Sequence, residues 1–139
     1  MTPQNKPRVG TAVVVIVIKD NKVLLGRRTS STGKGTWGLT GGKQEFGETW
    51  EQCAMRETKE ESGVDICDIE YVTAVDAFMP EHGAHFAVIF MKASHKAGEP
   101  KICEPDKHEL WDWHDWDSFP SPLFKPLDIL YKSGYHPFR

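Results

Sequence analysis

The residues best suited to chemistry are glutamates, which recur between Gly42 and Val64. Most acidic runs are solvated surface, but this one is interleaved with apolar residues at helical spacing. On a helix over residues 49–62, one face would carry Trp50, Cys53, Ala54, Glu57 and Glu61. Because the apolar members mark that face as buried, the glutamates are predicted to continue a buried stripe.

Buried carboxylates at this spacing predict a bound cation. Burying one unpaired carboxylate costs on the order of several kcal/mol, and carboxylates three or four positions apart on a helix also repel one another. We therefore expect Glu57, Glu61 and their neighbour Glu60 to surround a positive charge. Ligands that are all oxygen favour a hard divalent ion, Mg²⁺ or Mn²⁺, over zinc.

Both ends of this helix carry capping signals. Thr49 is a good N-cap, and Gln52 three residues later completes a capping box. Gly63 is expected to end the helix in the left-handed conformation, with Val64 folding back as an apolar contact.

Composition excludes several classes of protein. The chain has 139 residues, a net charge of −3 and a pI of about 6.1. These values fit one domain and argue against binding to nucleic-acid polymers or anionic membranes. The longest apolar run, at 12–18, is too short to span a bilayer, and the first residues lack the apolar stretch of a signal peptide. Three cysteines without a CxxC pair predict reduced thiols and a cytoplasmic location.

The rest of the chain shows patterns typical of strands. A polar lead over residues 1–8 is expected to be loosely ordered. Strands are predicted at 9–19, 22–28, 68–78, 85–93 and 109–113, separated by a turn at Asp20-Asn21 and by loops that include 30–35, 79–83 and 94–106. A last helix is predicted at 123–132. Strands on both sides of one strong helix predict an α+β domain over residues 9–139, with helices packed on a mixed sheet.

The stretch from Gly42 to Val64 resembles the Nudix (MutT-type) box, G-x5-E-x7-R-E-U-x-E-E-x-G-U, in which U is a bulky aliphatic residue. Every fixed residue of the box is present, and the one departure is Thr58 at an aliphatic position. The resemblance implies an α/β/α sandwich. It also implies metal-dependent hydrolysis of a nucleoside diphosphate linked to another group.

The resemblance further implies a role for each matching residue. Glu57 and Glu61 match the principal metal ligands, Glu60 matches a further ligand, and the carbonyl of Gly41 lies where the family often supplies a backbone ligand. Arg56 and Glu48 resemble the internal salt bridge that orients these carboxylates. Glu60 and Glu109, the latter outside the box, are both candidates for the general base.

Substrate contacts are expected from residues near the box. Arg28 is a candidate for clamping phosphate, with assistance from Lys34 in the following loop. Recognition of a base needs aromatic faces and polar groups. The candidates for that role are Trp37, Phe78, His85, Phe90, Trp111 and Trp113.

A closer resemblance covers most of the chain. The segments GETWEQCAMRETKEE, AVIFMKA, EPKICEPDKHELWDW and GYHPF resemble the Nudix nucleotide diphosphatases of the mammalian thiopurine-nucleotide type and their bacterial relatives. Those proteins convert (deoxy)nucleoside triphosphates to monophosphates plus pyrophosphate and are homodimers. The sequence departs from them in LTGG at 39–42 and in the apolar residues at 86–88, which leaves the preferred base open.

The resulting prediction is a Mg²⁺-dependent pyrophosphohydrolase of (deoxy)nucleoside triphosphates, modified ones included, in which Mn²⁺ can substitute. One alternative is a Nudix hydrolase of another substrate, such as a nucleotide sugar, ADP-ribose or a dinucleoside polyphosphate. The other is a non-catalytic nucleotide-binding module, which the complete set of box carboxylates disfavours.

Overall fold

Seven strands and two α-helices make up the regular part of residues 7–139, the part of the chain that the computed structural model describes. The strands are β1 (Gly10–Lys19), β2 (Lys22–Arg28), β3 (Trp37–Gly38), β4 (Thr40–Lys43), β5 (Asp65–Met79), β6 (Ala84–Ala97) and β7 (His108–His114). The helices are α1 (Trp50–Ser62) and α2 (Lys125–Lys132), and short 3₁₀ turns occur at Pro80–His82 and Trp116–Ser118.

The strands form one mixed sheet in the order β3-β2-β1-β6-β5, with β4 paired to β1 and β7 paired to β2. β1 runs parallel to β6, from Gly10 opposite Phe86 to Ile18 opposite Ser94, whereas its pairings with β2 and β4 are antiparallel. This arrangement confirms the predicted mixed sheet and the central position of the first strand.

β1 has an apolar surface on both of its faces because each face is covered by a helix. Val13, Val15 and Val17 belong to the core cluster that includes α1. Ile16 belongs to the second cluster, which includes Leu127 of α2. A continuous β-branched run is what a strand covered on two sides requires. The α/β/α layering implied by the family resemblance is therefore confirmed.

The turn between β1 and β2 has the predicted chemistry. Asp20 and Asn21 both have positive φ, 52° and 61°, and Lys19 pairs with Lys22 across the turn. Two residues with positive φ form the type I′ hairpin turn, whose twist matches that of the strands, and Asp and Asn tolerate this conformation better than most residues.

α1 begins and ends as predicted, with one error in the assignment of its buried face. The Thr49 capping box is complete, and Gly63 has φ 75°. Cys53 and Ala54 are fully buried. Trp50, however, is 38% exposed and stacks on Tyr71 of β5, so its prediction as an inward residue is wrong.

Three predicted boundaries also differ from the structure. β6 continues through residues 94–97, which were predicted as loop, because Ser94, His95 and Ala97 pair with the first residues of β5. β5 accordingly begins three residues earlier than predicted. α2 begins only at Lys125, followed by Pro126 in the first turn. Of the predicted lead, residues 1–6 lie outside the described part, and residues 7 and 8 are exposed and belong to no strand.

Cys53, Cys67 and Cys103 are all unpaired in the described part of the chain. Within residues 7–139 no helix is long and apolar enough to cross a membrane.

The capping box predicts a measurable contribution to stability. Thr49→Ala should lower the free energy of unfolding by about 1 kcal/mol, because the backbone N–H of Gln52 loses the Thr49 hydroxyl that accepts its hydrogen bond at the helix start. Thr49→Ser keeps the hydroxyl and is the matched control. Urea unfolding measures both variants, and equal losses for Ala and Ser would show that the cap contributes nothing.

Candidate active site

A cavity of about 470 Å³ lies where β1, β4 and β6 meet the end of β2 and the start of α2. Its charged and polar lining comes from Arg28, Lys43, Glu57, Glu61, Lys107 and His108. Its apolar lining includes Val14, Leu39, Phe86, Val88, Phe90 and Leu127. Carboxylates, cations and a broad apolar wall therefore share one space of the size that small-molecule ligands occupy.

Glu61 is the most deeply buried carboxylate of this cavity, at 5% exposed. Its Oε1 accepts a hydrogen bond from the backbone N–H of Gly41 at 2.8 Å, and its Oε2 lies 4.0 Å from Nδ1 of His108. Burial raises the pKa of Glu61 to about 8, the charges of Glu57 and Glu104 act in the same direction, and the Gly41 hydrogen bond opposes the shift. This carboxylate needs a cation beside it in order to stay fully ionised at neutral pH.

Glu57 reaches the cavity because its neighbours on β4 lack side chains. A Cβ added at Gly42 would lie 2.5 Å from the Glu57 carboxyl carbon, and one at Gly41 would collide with the carbonyl oxygen of Val13. Gly41 also has a φ of 151°, which L side chains rarely adopt. Burial raises the pKa of Glu57, and its hydrogen bond with Arg56 opposes that shift.

Arg56, in the middle of α1, is the centre of a carboxylate network. Its Nε donates to one oxygen of Glu48 at 2.6 Å and its Nη2 to the other at 3.0 Å, a bidentate pair. Its Nη1 donates to Glu57 at 2.9 Å and to Glu60 at 3.2 Å. The pair lowers the pKa of Glu48 to about 2 and raises the pKa of Arg56. Arg56 thus fixes the orientation of Glu57 while it stays charged.

Arg28 presents a planar cation to the cavity. Its Nε donates to the carbonyl of Thr32 at 3.0 Å and its Nη2 to the hydroxyl of Ser30 at 3.1 Å. Its guanidinium carbon lies 3.9 Å from the centroid of the Phe124 ring. Burial lowers the pKa of Arg28, and the charge of Glu61 opposes that shift. The group is therefore held flat on an aromatic ring, with its remaining N–H groups available to an anion.

The structure brings only some of the sequence-predicted residues to the cavity. Glu57, Glu61, Gly41 and Arg28 line it, as does Phe90 among the aromatic candidates. Glu60 has a half-exposed side chain and is turned toward Arg56, so it lies beside the cavity and does not line it.

Three predicted substrate contacts lie elsewhere. Lys34 is exposed in its loop and is absent from the cavity lining. Trp37 packs edge-on against His114, and its backbone is hydrogen-bonded to the segment that precedes α2. His85 is held by Asp76 on β5. The expectation that these three side chains share one site with the carboxylates does not match the structure.

The other candidates named from sequence are also placed away from the cavity. Glu109, considered as a general base, is paired with Arg27 on an exposed surface. The aromatic candidates that lie outside the cavity lining are Phe78, Trp111 and Trp113.

Sequence reasoning missed Lys107 and His108, which line the cavity at the start of β7, and Glu104, whose charge acts on Glu61 from the preceding loop. His108 is 2% exposed, and neither ring nitrogen has a hydrogen-bond partner among the described residues. Leaving such a group unpaired costs about 1–3 kcal/mol. Burial, with the charges of Arg28 and Lys107, lowers the pKa of His108 to about 4, so its ring is neutral at pH 7. The one available signal was the polar run EPDKH directly before a predicted strand.

The donor set suits a hard divalent cation. Within residues 7–139 no three acidic, histidine or cysteine side chains converge closely enough to enclose a metal by themselves. Mg²⁺, however, is commonly held by one or two carboxylates, with waters and substrate phosphates completing its shell. Two carboxylates that share a cavity, the buried Glu61 and the partly buried Glu57, fit that requirement.

This fold and site combine a mixed sheet between two helices with a carboxylate-lined cavity. A model of the NUDIX domain matches residues 7–133, so the chain belongs to the NUDIX family. Relatives named as hydrolases share its sequence and fold.

Individual relatives show how far the similarity extends. A Vibrio atlanticus (strain LGP32) protein named NAD-capped RNA hydrolase NudC is 35% identical over 116 residues, which cover 82% of this chain and 40% of that protein. The chain therefore spans only about two fifths of the NudC relatives. A Danio rerio protein named oxidized purine nucleoside triphosphate hydrolase is 30% identical, with coverages of 85% and 74%. The crystal structure of a MutT NUDIX hydrolase from Burkholderia pseudomallei superposes with a TM-score of 0.85 at 29% identity, with coverages of 92% and 99%.

The Glu48–Arg56 pair predicts how stability depends on pH. The folded-state pKa of Glu48, about 2, lies below its ordinary value of 4.5. The stability that the pair provides is therefore complete above about pH 4.5 and is lost as the pH falls toward 2. The difference in urea midpoint between wild type and Glu48→Gln should be largest at pH 7 and should narrow over that range. A constant difference would mean that the charge of Glu48 does not stabilise the fold.

Proposed function

We propose that the protein is a Mg²⁺-dependent pyrophosphohydrolase that converts (deoxy)nucleoside triphosphates, modified ones included, to monophosphates and pyrophosphate. The observation that carries this proposal is the single cavity in which paired carboxylates, a fixed arginine and an apolar wall lie together. The Danio rerio relative, named for hydrolysis of oxidized purine nucleoside triphosphates, supports it because most of both chains align.

The apolar wall suits the nucleobase. Phe86, Val88 and Phe90 lie along β6, and Leu127 lies on α2. Desolvating the two faces of a planar heterocycle costs little free energy. Between these side chains the heterocycle would also gain contacts with aromatic and aliphatic carbon atoms. The polar edge of the base would meet few side-chain partners on this wall, which fits the tolerance of modified bases in the proposal.

Nudix hydrolases generally use divalent metal ions. In this chain Glu57 and Glu61 would hold Mg²⁺, or Mn²⁺ in its place, with Glu60 and the carbonyl of Gly41 as further ligands. When bound, such an ion polarises phosphoryl oxygens and lowers the pKa of the attacking water.

The remaining steps fall to the chain's own residues. Arg28 binds phosphate through the N–H groups left free by Thr32 and Ser30. Arg56, with Glu48, keeps Glu57 oriented. Water oxygen attacks the α-phosphorus, the bond from that phosphorus to the bridging oxygen breaks, and pyrophosphate leaves. We assign removal of the water proton to Glu60, which lies beside the cavity on α1 and is next to Glu61 in sequence, whereas Glu109 is paired with Arg27 on an exposed surface.

Cleavage of the pyrophosphate in an NAD-type substrate is the second candidate. The relatives named NAD-capped RNA hydrolase NudC favour it, with identities up to 35% over the aligned region. Both candidates use the same carboxylates and differ in the group beyond the second phosphate.

The resemblance also supports a homodimer, and the three unpaired cysteines support a cytoplasmic location. Light scattering that gives the mass of one chain would contradict the dimer. Finding these cysteines oxidised to disulfides in cell extracts would contradict the cytoplasmic assignment.

The products distinguish the candidates. With a panel of dNTPs, NTPs, NAD, ADP-ribose and nucleotide sugars at saturating Mg²⁺, we expect triphosphates to give equal amounts of monophosphate and pyrophosphate. Release of orthophosphate from the same substrates would contradict cleavage at the α-phosphorus. Faster turnover of NAD than of any triphosphate would favour the second candidate.

The carboxylate assignment is tested on the same helix. Glu57→Gln and Glu61→Gln should each lower kcat by about 10²–10³-fold, because an ionised group in the reaction site is lost. Each should also abolish the rise in melting temperature that Mg²⁺ gives the wild type. Glu51→Gln changes an exposed glutamate in the first turn of α1 and is the matched control. A Mg²⁺-induced rise that survives in both test variants would contradict the assignment.

A further inference from the structure

We infer that Arg28, Lys107 and His108 form a subsite for the terminal phosphates of the substrate, through which the enzyme selects triphosphate chains. This inference rests on the proposed function, because it identifies the anion as the part of the substrate that leaves as pyrophosphate.

The sheet places the three residues together. Arg28, the last residue of β2, is the register partner of His108, the first residue of β7. Lys107 precedes His108, and its carbonyl accepts a hydrogen bond from the N–H of Thr29 at 2.8 Å. All three side chains line the cavity that also contains Glu57 and Glu61. The subsite is therefore built from two paired strands and does not depend on a long loop.

Arg28 differs from its neighbours in having unused donors. Arg27 is paired with Glu109 and Arg56 with Glu48, whereas Arg28 forms no ion pair with a carboxylate of the described residues. Two hydrogen bonds, to Thr32 and Ser30, occupy only part of its five N–H groups. The Phe124 ring covers one face of the guanidinium, so the free donors point along its edge. This geometry suits bidentate contact with phosphate oxygens.

His108 supplies an independent sign of a ligand. Buried polar side chains are nearly always hydrogen-bonded, yet both ring nitrogens of this buried histidine lack a partner within residues 7–139. A phosphate oxygen would accept a hydrogen bond from the N–H of the ring. Because Nδ1 lies 4.0 Å from Oε2 of Glu61, such an oxygen would lie next to the carboxylates assigned to the metal.

Lys107 adds a mobile positive charge at the mouth of the subsite. Its side chain is half exposed, and its Nζ lies 3.6 Å from Glu104. A pair this exposed is weak, so a polyphosphate can compete with Glu104 for the ammonium group. The planar guanidinium of Arg28, the neutral ring of His108 and the half-exposed ammonium group of Lys107 together match several linked phosphates better than they match one phosphate. A substrate that carries a neutral ribose beyond its second phosphate would leave Lys107 without an anion.

Direct binding of inorganic pyrophosphate tests the inference without any turnover. By calorimetry at constant Mg²⁺, Lys107→Met and His108→Leu should each weaken pyrophosphate binding by about tenfold, the range expected for loss of one contact to a charged group. His108→Asn keeps a donor and should recover most of the affinity. Lys22→Met removes the same charge from an exposed site at the other end of β2 and should leave the Kd unchanged.

Two results would overturn the inference. One is an unchanged Kd for pyrophosphate in both Lys107→Met and His108→Leu. The other is equal weakening by Lys22→Met, which would indicate general charge attraction. Pyrophosphate binding is measured apart from hydrolysis, so the two proposals can fail separately. A wild type that does not hydrolyse triphosphates would contradict the proposed function. The Kd values of the variants for pyrophosphate would still test the subsite.

Discussion

Two carboxylates, one buried and one partly buried against bare backbone, are the constraint that organises this molecule. Glu57 and Glu61 lie on the face of α1 that packs toward the sheet, where burial raises the pKa of both. The fold accommodates them because Gly41 and Gly42 leave room on β4 and because the Gly41 N–H donates to Glu61. The absence of side chains at Gly41 and Gly42 also leaves the cavity open. The two glycines that make room for the carboxylates would therefore also give the proposed substrate access to them.

The charges around the cavity are segregated by secondary structure. α1 supplies the carboxylates together with Arg56, which neutralises part of their charge and fixes their direction. The cations that face them are Arg28 at the end of β2, Lys43 at the end of β4 and Lys107 just before β7. In the proposed reaction, one polyanion would contact the positive groups on the sheet while a divalent ion stood between it and the helix. The proposal thereby fits a chain whose net charge is −3.

Local signals in the sequence were enough to predict α1 and its carboxylates. The features that could not be predicted depend on pairing between strands that are far apart in the sequence. Thr49, Gln52 and Gly63 act within one helix, so its ends were predicted correctly. Trp50 was misplaced because helical periodicity cannot show that the first turn lies beside Tyr71 at the surface. Residues 94–96 are polar, and the pairing of residues 94–97 with β5 is what makes them strand. Lys107 and His108 join Arg28 through the pairing of β2 with β7, a register that spacing along the chain does not reveal.

The parallel pairing of β1 with β6 bears on how the protein reaches its folded state. Gly10 lies opposite Phe86, and Val14 lies opposite Phe90, so the floor of the cavity joins two distant parts of the chain. Contacts between residues far apart in sequence require closure of a long loop, which slows folding relative to helical or hairpin contacts. During synthesis, the edge of β1 that pairs with β6 stays unpaired until β6 has left the ribosome. The acidic helix is therefore synthesised before β6, the strand that contributes Phe86, Val88 and Phe90 to the apolar wall of the cavity.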